Sequence, residues 1–254
     1  MIKNKFNIII PFYNVEKWIK YCVRSVKAQE YKNYHCYLID DISTDKTTNL
    51  IEKEIANDEK FTLIKNTEKK YALLNIYDTL NDNNIDNDEI IVLLDGDDWL
   101  ASKEVLGKLN QVYNQENCDV TYGSYAEHPG NLRGKHTRQI PEKIIDENLF
   151  RENPWMSSHL RTFKYSLWKK INKEDLIYSK TGKFYKAAWD LAFMFPILEM
   201  SGHRAKYIED IMYVYNRQNP LNEDKVNHSI QLAEESEIRS KKKYSLYISK
   251  WVKE

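Results

Sequence analysis

No apolar run in the 254-residue chain is long enough to cross a bilayer. The one early stretch, from Phe6 to Phe12, is short, is interrupted by Pro11 and is followed by no small-residue cleavage site, so it reads as a buried strand. Net charge is missing too: 38 basic and 38 acidic residues cancel, leaving no summed positive field for a phosphate backbone or an anionic lipid surface. Nucleic acid is thereby disfavoured as a principal partner. Cysteine is scarce, and Cys22, Cys36 and Cys118 stand too far apart for a disulfide framework or a zinc site, so they read as reduced core thiols. A Gly-x-Gly-x-x-Gly fingerprint and a phosphate-loop lysine motif are both absent, which disfavours a dinucleotide oxidoreductase and a phosphate-loop NTPase. The chain has no internal repeat and no low-complexity block.

What it does have is alternation. Short β-branched runs at residues 7–10, 36–39, 61–65 and 89–94 take turns with helical patterns, the signature of βαβ units around a parallel sheet. The first helix is expected to be capped by Asn14 and to bury Val15, Trp18, Ile19, Cys22, Val23 and Val26; the second opens at Ser43 or Asp45. A further helix carries Val105, Leu106, Leu109, Val112 and Tyr113, a strand is expected over residues 119–125, and order returns over residues 157–163. Between them, residues 128–154 dissolve into Pro, Gly, Arg, Lys and Asn and read as a loop, a candidate mobile segment over a site. Residues 187–200 predict a helix stopped by Gly202 and kinked at Pro196. The tail from Asn222 onward is polar, with Lys241-Lys242-Lys243 reading as a solvated helix face.

Two acidic clusters fall at the carboxyl ends of these strands, the edge where open α/β sheets bind ligands. In Asp95-Gly96-Asp97-Asp98 three carboxylates crowd into four residues behind a buried run, so something positive belongs among them. The plain reading is a tight turn and a helix cap. The functional reading is a hard divalent cation, magnesium or manganese, held by one or two protein oxygens with room left for substrate phosphates, Gly96 letting backbone approach the ligand closely. Position after a buried strand favours the second. Asp40-Asp41-Ile42-Ser43-Thr44-Asp45 starts a helix, or offers a carboxylate to a nucleobase or ribose beside a helix N-terminus that suits anions.

Read together, Ile9-Ile10-Pro11-Phe12-Tyr13-Asn14, Ile39-Asp40-Asp41-Ile42-Ser43-Thr44-Asp45 and Leu93-Leu94-Asp95-Gly96-Asp97-Asp98-Trp99-Leu100 resemble the family 2 glycosyltransferases of the GT-A fold. The resemblance implies an α/β architecture, a GT-A-type nucleotide-binding βαβ sandwich with a mixed central sheet and an acceptor-binding half. Residues 1–100 would form the nucleotide-sugar half, 101–221 the acceptor half of the same domain and 222–254 a helical tail. It further implies that Pro11, Tyr13, Asn14, Asp40 and Asp41 receive the nucleotide and that the Asp-x-Asp motif falls on Asp95, near the ribose, and Asp97, on a Mn2+ or Mg2+ ion bridging the diphosphate. Asp98 caps the next helix or joins the metal through water. The family's catalytic base falls on Asp190, where Trp189 replaces a usual glutamate. Lys70 stands in for a positive charge absent after the third strand, and His228 is a candidate late histidine for the metal. His159 and Arg161 face phosphate or acceptor, or are satisfied structural groups; Trp155 or Trp189 contacts sugar through an apolar C–H face.

The activity so implied is inverting transfer from a nucleotide-diphosphate sugar, with uridine the base expected, to a hydroxyl on a glycan, a lipid-linked sugar or a hydroxylated protein. A sugar nucleotidyltransferase, or a non-catalytic glycan- or nucleotide-binding module of the same fold, are the alternatives. The chain is expected to be cytoplasmic, in a bacterium or, if viral, in a host cell, given its abundance of Lys, Asn and Ile; homo-oligomerisation stays open.

Overall fold

Ile8, Ile9 and Ile10 are 0% exposed in the computed structural model, which describes residues 2–222 and 228–247. Successive side chains of a strand point to opposite faces, so three consecutive buried isoleucines need cover on both. Their strand, β1 (Phe6–Phe12), is followed by α1 (Ile19–Lys27), β2 (Tyr34–Asp40), α2 (Thr47–Ile55), β3 (Phe61–Lys65), α3 (Tyr71–Asp82) and β4 (Ile90–Leu93). β2 and β4 flank β1 in parallel, and β3 lies outside β2. Ile19, Cys22, Val23 and Val26 of α1 pack with Ile8, Ile10, Leu38 and Val92 on one face. Leu73, Ile76 and Leu80 of α3 pack with Ile9, Ile39 and Ile91 on the other. Each fully buried aliphatic side chain contributes on the order of 1.5–3 kcal/mol, so these two clusters hold the helices in place.

The first two helices begin later than their sequence signals. Asn14 does not cap α1: it adopts a positive φ of 51°, and its Oδ1 accepts the Thr44 N–H at 2.8 Å, tying the loop after β1 to the loop after β2. At the second helix, Asp45 Oδ1 accepts the N–H of Thr47 at 2.9 Å, while Ser43 Oγ accepts the N–H of Asn14 at 3.0 Å.

The second half adds β5 (Trp99–Leu100), α4 (Val105–Gln115), β6 (Val120–His128), β7 (Leu132–Arg133), α5 (Glu142–Asp146), β8 (Arg161–Lys164), α6 (Tyr165–Trp168), the hairpin β9 (Ile177–Tyr178) and β10 (Lys183–Phe184), α7 (Trp189–Ser201) and β11 (Ala205–Asn216). The sheet runs β3-β2-β1-β4-β8-β6-β11-β5, with β7 on β6, and turns mixed at β8, which is antiparallel to both neighbours. Of the ordered stretch expected over 157–163 only residues 161–163 join the ladder, whose strand runs on to Lys164. Residues 128–154 are not a bare loop: they carry β7 and α5 and bury Ile140, Ile144 and Phe150.

α7 continues through Pro196 and is apolar on every side, because it runs through the core; residues 191–201 are all buried. Glu199, within it, forms a bidentate pair with Arg151 at 2.5 and 2.9 Å, and the Arg151 guanidinium also donates to the Ile238 carbonyl at 2.7 Å. That carbonyl belongs to a last helix, His228–Ser240, which inserts Ile238 into the core. Lys241 and Lys243 lie beyond its end, where their ammonium groups donate to the carbonyls of Glu174 and Asn148, so the expected solvated helix face is not formed. Among the described residues no helix is long and apolar enough to cross a membrane.

Candidate active site

β1, β2 and β4 are parallel, so their carboxyl ends share one edge, and the chain leaves β1 for neighbours on opposite sides. A crevice opens at such a switch point. The chain follows the sheet one residue past β4, Leu94 N–H reaching the Ile9 carbonyl at 3.2 Å, and then turns across the end of β1. Gly96 allows this: a Cβ there would collide with the Cβ of Phe12. The close approach it permits is to the protein's own β1.

Asp98, 1% exposed, is spent on structure. Its Oδ1 accepts the Asn216 N–H at 2.7 Å and its Oδ2 the Tyr213 hydroxyl at 2.5 Å, so it fastens the loop to β11. Burial, then the charges of Asp97 and Asp95, push its carboxyl well above the usual range. Burial likewise pushes Asp95 up to about 6, with Arg161 pulling it down and Asp97 and Asp190 adding to the rise.

Arg161 brings a buried positive charge near Asp95. Its position opposite Leu93 in the β4–β8 ladder sets it at the carboxyl end of β4. The side chain is 4% exposed; Nη1 lies 3.0 Å from Asp190 Oδ2, and Cζ lies 5.6 Å from the Trp189 ring. Nη2 approaches His159 Nδ1 at 3.1 Å, and the imidazole stacks on Tyr213 with centroids 4.4 Å apart. Burial first, then Arg161, hold His159 well below its ordinary pKa, so the ring is neutral. Asp190, the second residue of α7, also accepts the Leu191 N–H at 3.0 Å.

At the β1 and β2 end, Asp41 and Asp40 part company. Asp41 lines the cleft and accepts the N–H groups of Lys70 at 2.8 Å and Tyr71 at 3.0 Å, and the Asn66 amide at 3.0 Å. Burial would raise its pKa, but the Lys70 N–H, Asn75, Lys69 and Asn66 bring it below the usual value. Asp40 is held by the Ser43 N–H at 2.8 Å and the Thr48 hydroxyl at 2.5 Å, and is not part of the cleft wall. The Lys70 ammonium goes to Asp78 at 2.7 Å, outside the cleft; Lys69 enters instead, 3.3 Å from Asp41 Oδ2 and 2.9 Å above the Tyr13 ring.

The cleft is about 990 Å³. Pro11, Tyr13, Asp41, Asp95, Gly96, Asp97, Trp155, His159, Arg161, Trp189 and Asp190 all line it; Asn14, Asp40, Lys70 and His228 do not. His228 is exposed at the start of the last helix. Sequence reasoning missed Lys69, Asn219, whose amide donates to Asp97 Oδ2 at 2.7 Å, and the part played in the wall by the expected helical tail, which contributes Gln231, Glu235 and Arg239. Among the described residues no three His, Cys, Asp or Glu side chains gather as a complete metal shell. A cation here would rest on Asp95 and Asp97 and take its other ligands from substrate and water.

The sequence model of Glycosyl transferase family 2 matches residues 7–190. The chain belongs to that family. Glycosyltransferase GlyA of Streptococcus pneumoniae is 26% identical over 183 residues, 69% of this chain and 25% of its own length. Glycosyltransferase GlyG of the same organism is 24% identical over 219 residues, 83% of this chain and 70% of its own. The chain thus spans a quarter of one relative and most of the other. Among solved structures, S. aureus TarS 1-349 in complex with UDP-GlcNAc superimposes with a TM-score of 0.64 at 19% identity, covering 87% of this chain and 60% of that one. Likeness at this level shows the fold, and the mixed sheet with helices on both faces matches the GT-A type.

Proposed function

We propose that this member of family 2 transfers a sugar from a nucleotide-diphosphate sugar to a hydroxyl acceptor, with inversion. The observation that carries the reading is that Tyr13 and Asp41, Asp95 and Asp97, and Asp190 with Arg161 all line one cleft at the carboxyl edge of the sheet. Uridine is the base the reading favours, in keeping with the UDP-GlcNAc bound to TarS.

The donor set fits a hard cation: Asp95 and Asp97 offer only carboxylate oxygens, and their mutual repulsion, which adds to the burial that raises Asp95, is what a divalent ion would relieve. Asp97 would hold Mn2+ or Mg2+, with Asp95 beside it. Such an ion, when bound, neutralises charge on the diphosphate. A mannosyltransferase structure of the same fold, PcManGT from Pyrobaculum calidifontis, holds GDP-Man and Mn2+; it superimposes with a TM-score of 0.62 at 17% identity, over 96% of this chain and 67% of that one.

The chain's own residues supply the rest. The Tyr13 ring offers a stacking face for the base and Asp41 an acceptor beside it, once Lys69 yields that face. Asp190 takes the acceptor hydroxyl proton as the oxygen attacks, a contribution of about 10²–10⁴-fold for a well-placed base. Arg161, 3.0 Å away, holds that carboxylate in place. Trp155 and Trp189 offer apolar faces to sugar rings. The acceptor is a glycan, a lipid-linked sugar or a hydroxylated protein.

Incubation with a panel of nucleotide sugars and manganese tests this. The expected result is release of nucleoside diphosphate by the wild type, and loss of transfer with donor binding spared in Asp190→Asn. Pyrophosphate chemistry would instead indicate a nucleotidyltransferase, and unchanged turnover in Asp190→Asn would remove Asp190 from the mechanism.

A further inference from the structure

α7 starts badly by its own means. Its N-cap residue is Ala188, which has no side chain able to receive a backbone N–H, yet Asp190 stands in its first turn and must hold a fixed direction. The acceptor comes from elsewhere in the chain. Glu234, in the last helix and 2% exposed, receives the N–H of Ala187 at 2.7 Å and of Ala188 at 2.9 Å on Oε2, and that of Lys186 at 3.0 Å on Oε1. One buried carboxylate thus closes on three consecutive amides just ahead of Trp189 and Asp190. Lys186, Ala187, Trp189 and Asp190 line the cleft, as do Gln231 and Glu235 from the helix that carries Glu234. The family match stops at residue 190, so this contact comes from beyond it.

We propose that Glu234 is a positioning residue for Asp190. Arg161 fixes the carboxylate from the β8 side and Glu234 fixes the backbone from the other, so the last helix completes the catalytic half of the cleft. The proposal rests on the glycosyltransferase reading given above. Glu237, one turn further along the last helix, provides the control: it anchors the helix without bonding the 186–188 amides, accepting the Ser179 N–H at 2.9 Å and the Tyr185 hydroxyl at 2.7 Å.

Steady-state transfer kinetics, with donor affinity measured separately, test the role. Glu234→Ala should lower kcat on the order of 100-fold, the scale of a displaced catalytic group, with the donor KM nearly unchanged. Glu234→Gln, which keeps one acceptor oxygen and the volume, should recover part of that loss. Glu237→Gln should keep kcat within about twofold of the wild type, since Glu237 is not part of the cleft wall. Amide hydrogen exchange on Glu234→Gln should show faster exchange at residues 186–188 whatever the activity. Wild-type kcat in both Glu234 variants, or equal losses in Glu234→Gln and Glu237→Gln, would overturn the positioning role and leave the function intact. A wild type that turns over no nucleotide sugar would overturn both.

Discussion

Replacing Arg161 by Met removes the cation from between Asp95 and Asp190 while keeping most of the side chain's apolar length. Nη1 is 3.0 Å from Asp190 and the guanidinium is 4% exposed, so at an effective dielectric of about 20 the gross attraction is roughly 5–6 kcal/mol. Part of that offsets the cost of burying the charge in the first place, and truncating one partner of a buried pair typically costs about 3–5 kcal/mol. Asp190 is 20% exposed and can turn to water, so about 3 kcal/mol is expected here. In a chain of this size that corresponds to a fall in Tm of about 6–12 °C. Arg161 also restrains Asp95, which already sits at about 6, so its loss raises that carboxyl further and moves the acidic limb of the pH–rate profile to higher pH. Urea titrations of Arg161→Met, Asp190→Asn and the double variant isolate the pair term. A loss below about 1 kcal/mol for Arg161→Met, the range of an exposed pair, together with an unmoved acidic limb, would refute the view that Arg161 balances the cluster.

Lys69→Met should weaken donor binding several-fold and Lys70→Met should barely change it, since Lys69 faces Asp41 and Tyr13 whereas Lys70 pairs with Asp78; donor KM for the two variants decides it. His159 should take stability away as pH drops below about 6.5, because an unfolded chain protonates it near its ordinary value whereas the folded ring stays neutral; Asp95 and Asp98, whose carboxyls are raised in the fold, act in the opposite sense. The difference between the pH–stability curves of the wild type and His159→Phe should therefore grow as pH falls below about 6.5. A second decline, as pH falls below about 3.9 and through the depressed pKa of folded Asp41, should disappear in Asp41→Asn; chemical unfolding across pH reads both.

The strands and their acidic ends were legible because both signals are local. A run such as Ile8-Ile9-Ile10 needs cover on both faces whatever surrounds it, and a carboxylate directly after a strand falls at the sheet edge. Asn14 and Ser43 misled as caps because each serves a neighbouring loop, a tertiary use of a side chain that is also a good cap residue. The choice between Lys69 and Lys70 depends on which of two adjacent side chains turns inward, and composition is blind to that. Residues 128–154 looked loose because their apolar residues follow no period, although Ile140, Ile144 and Phe150 are buried. Glu234 and Arg239 sit in a polar tail whose pattern is that of a solvated helix; only the packing of that helix on residues 151–153 and 186–188 gives them a site to serve.

The central claim is that Asp97 and Asp95 secure the diphosphate of an activated sugar through a divalent ion. Calorimetric titration of UDP into the wild type and into Asp97→Asn, each with and without manganese, tests it directly. The account predicts binding to the wild type that manganese strengthens, and a loss of at least about tenfold, roughly 1.4 kcal/mol, in Asp97→Asn with manganese present. Equal affinity in all four titrations would contradict it.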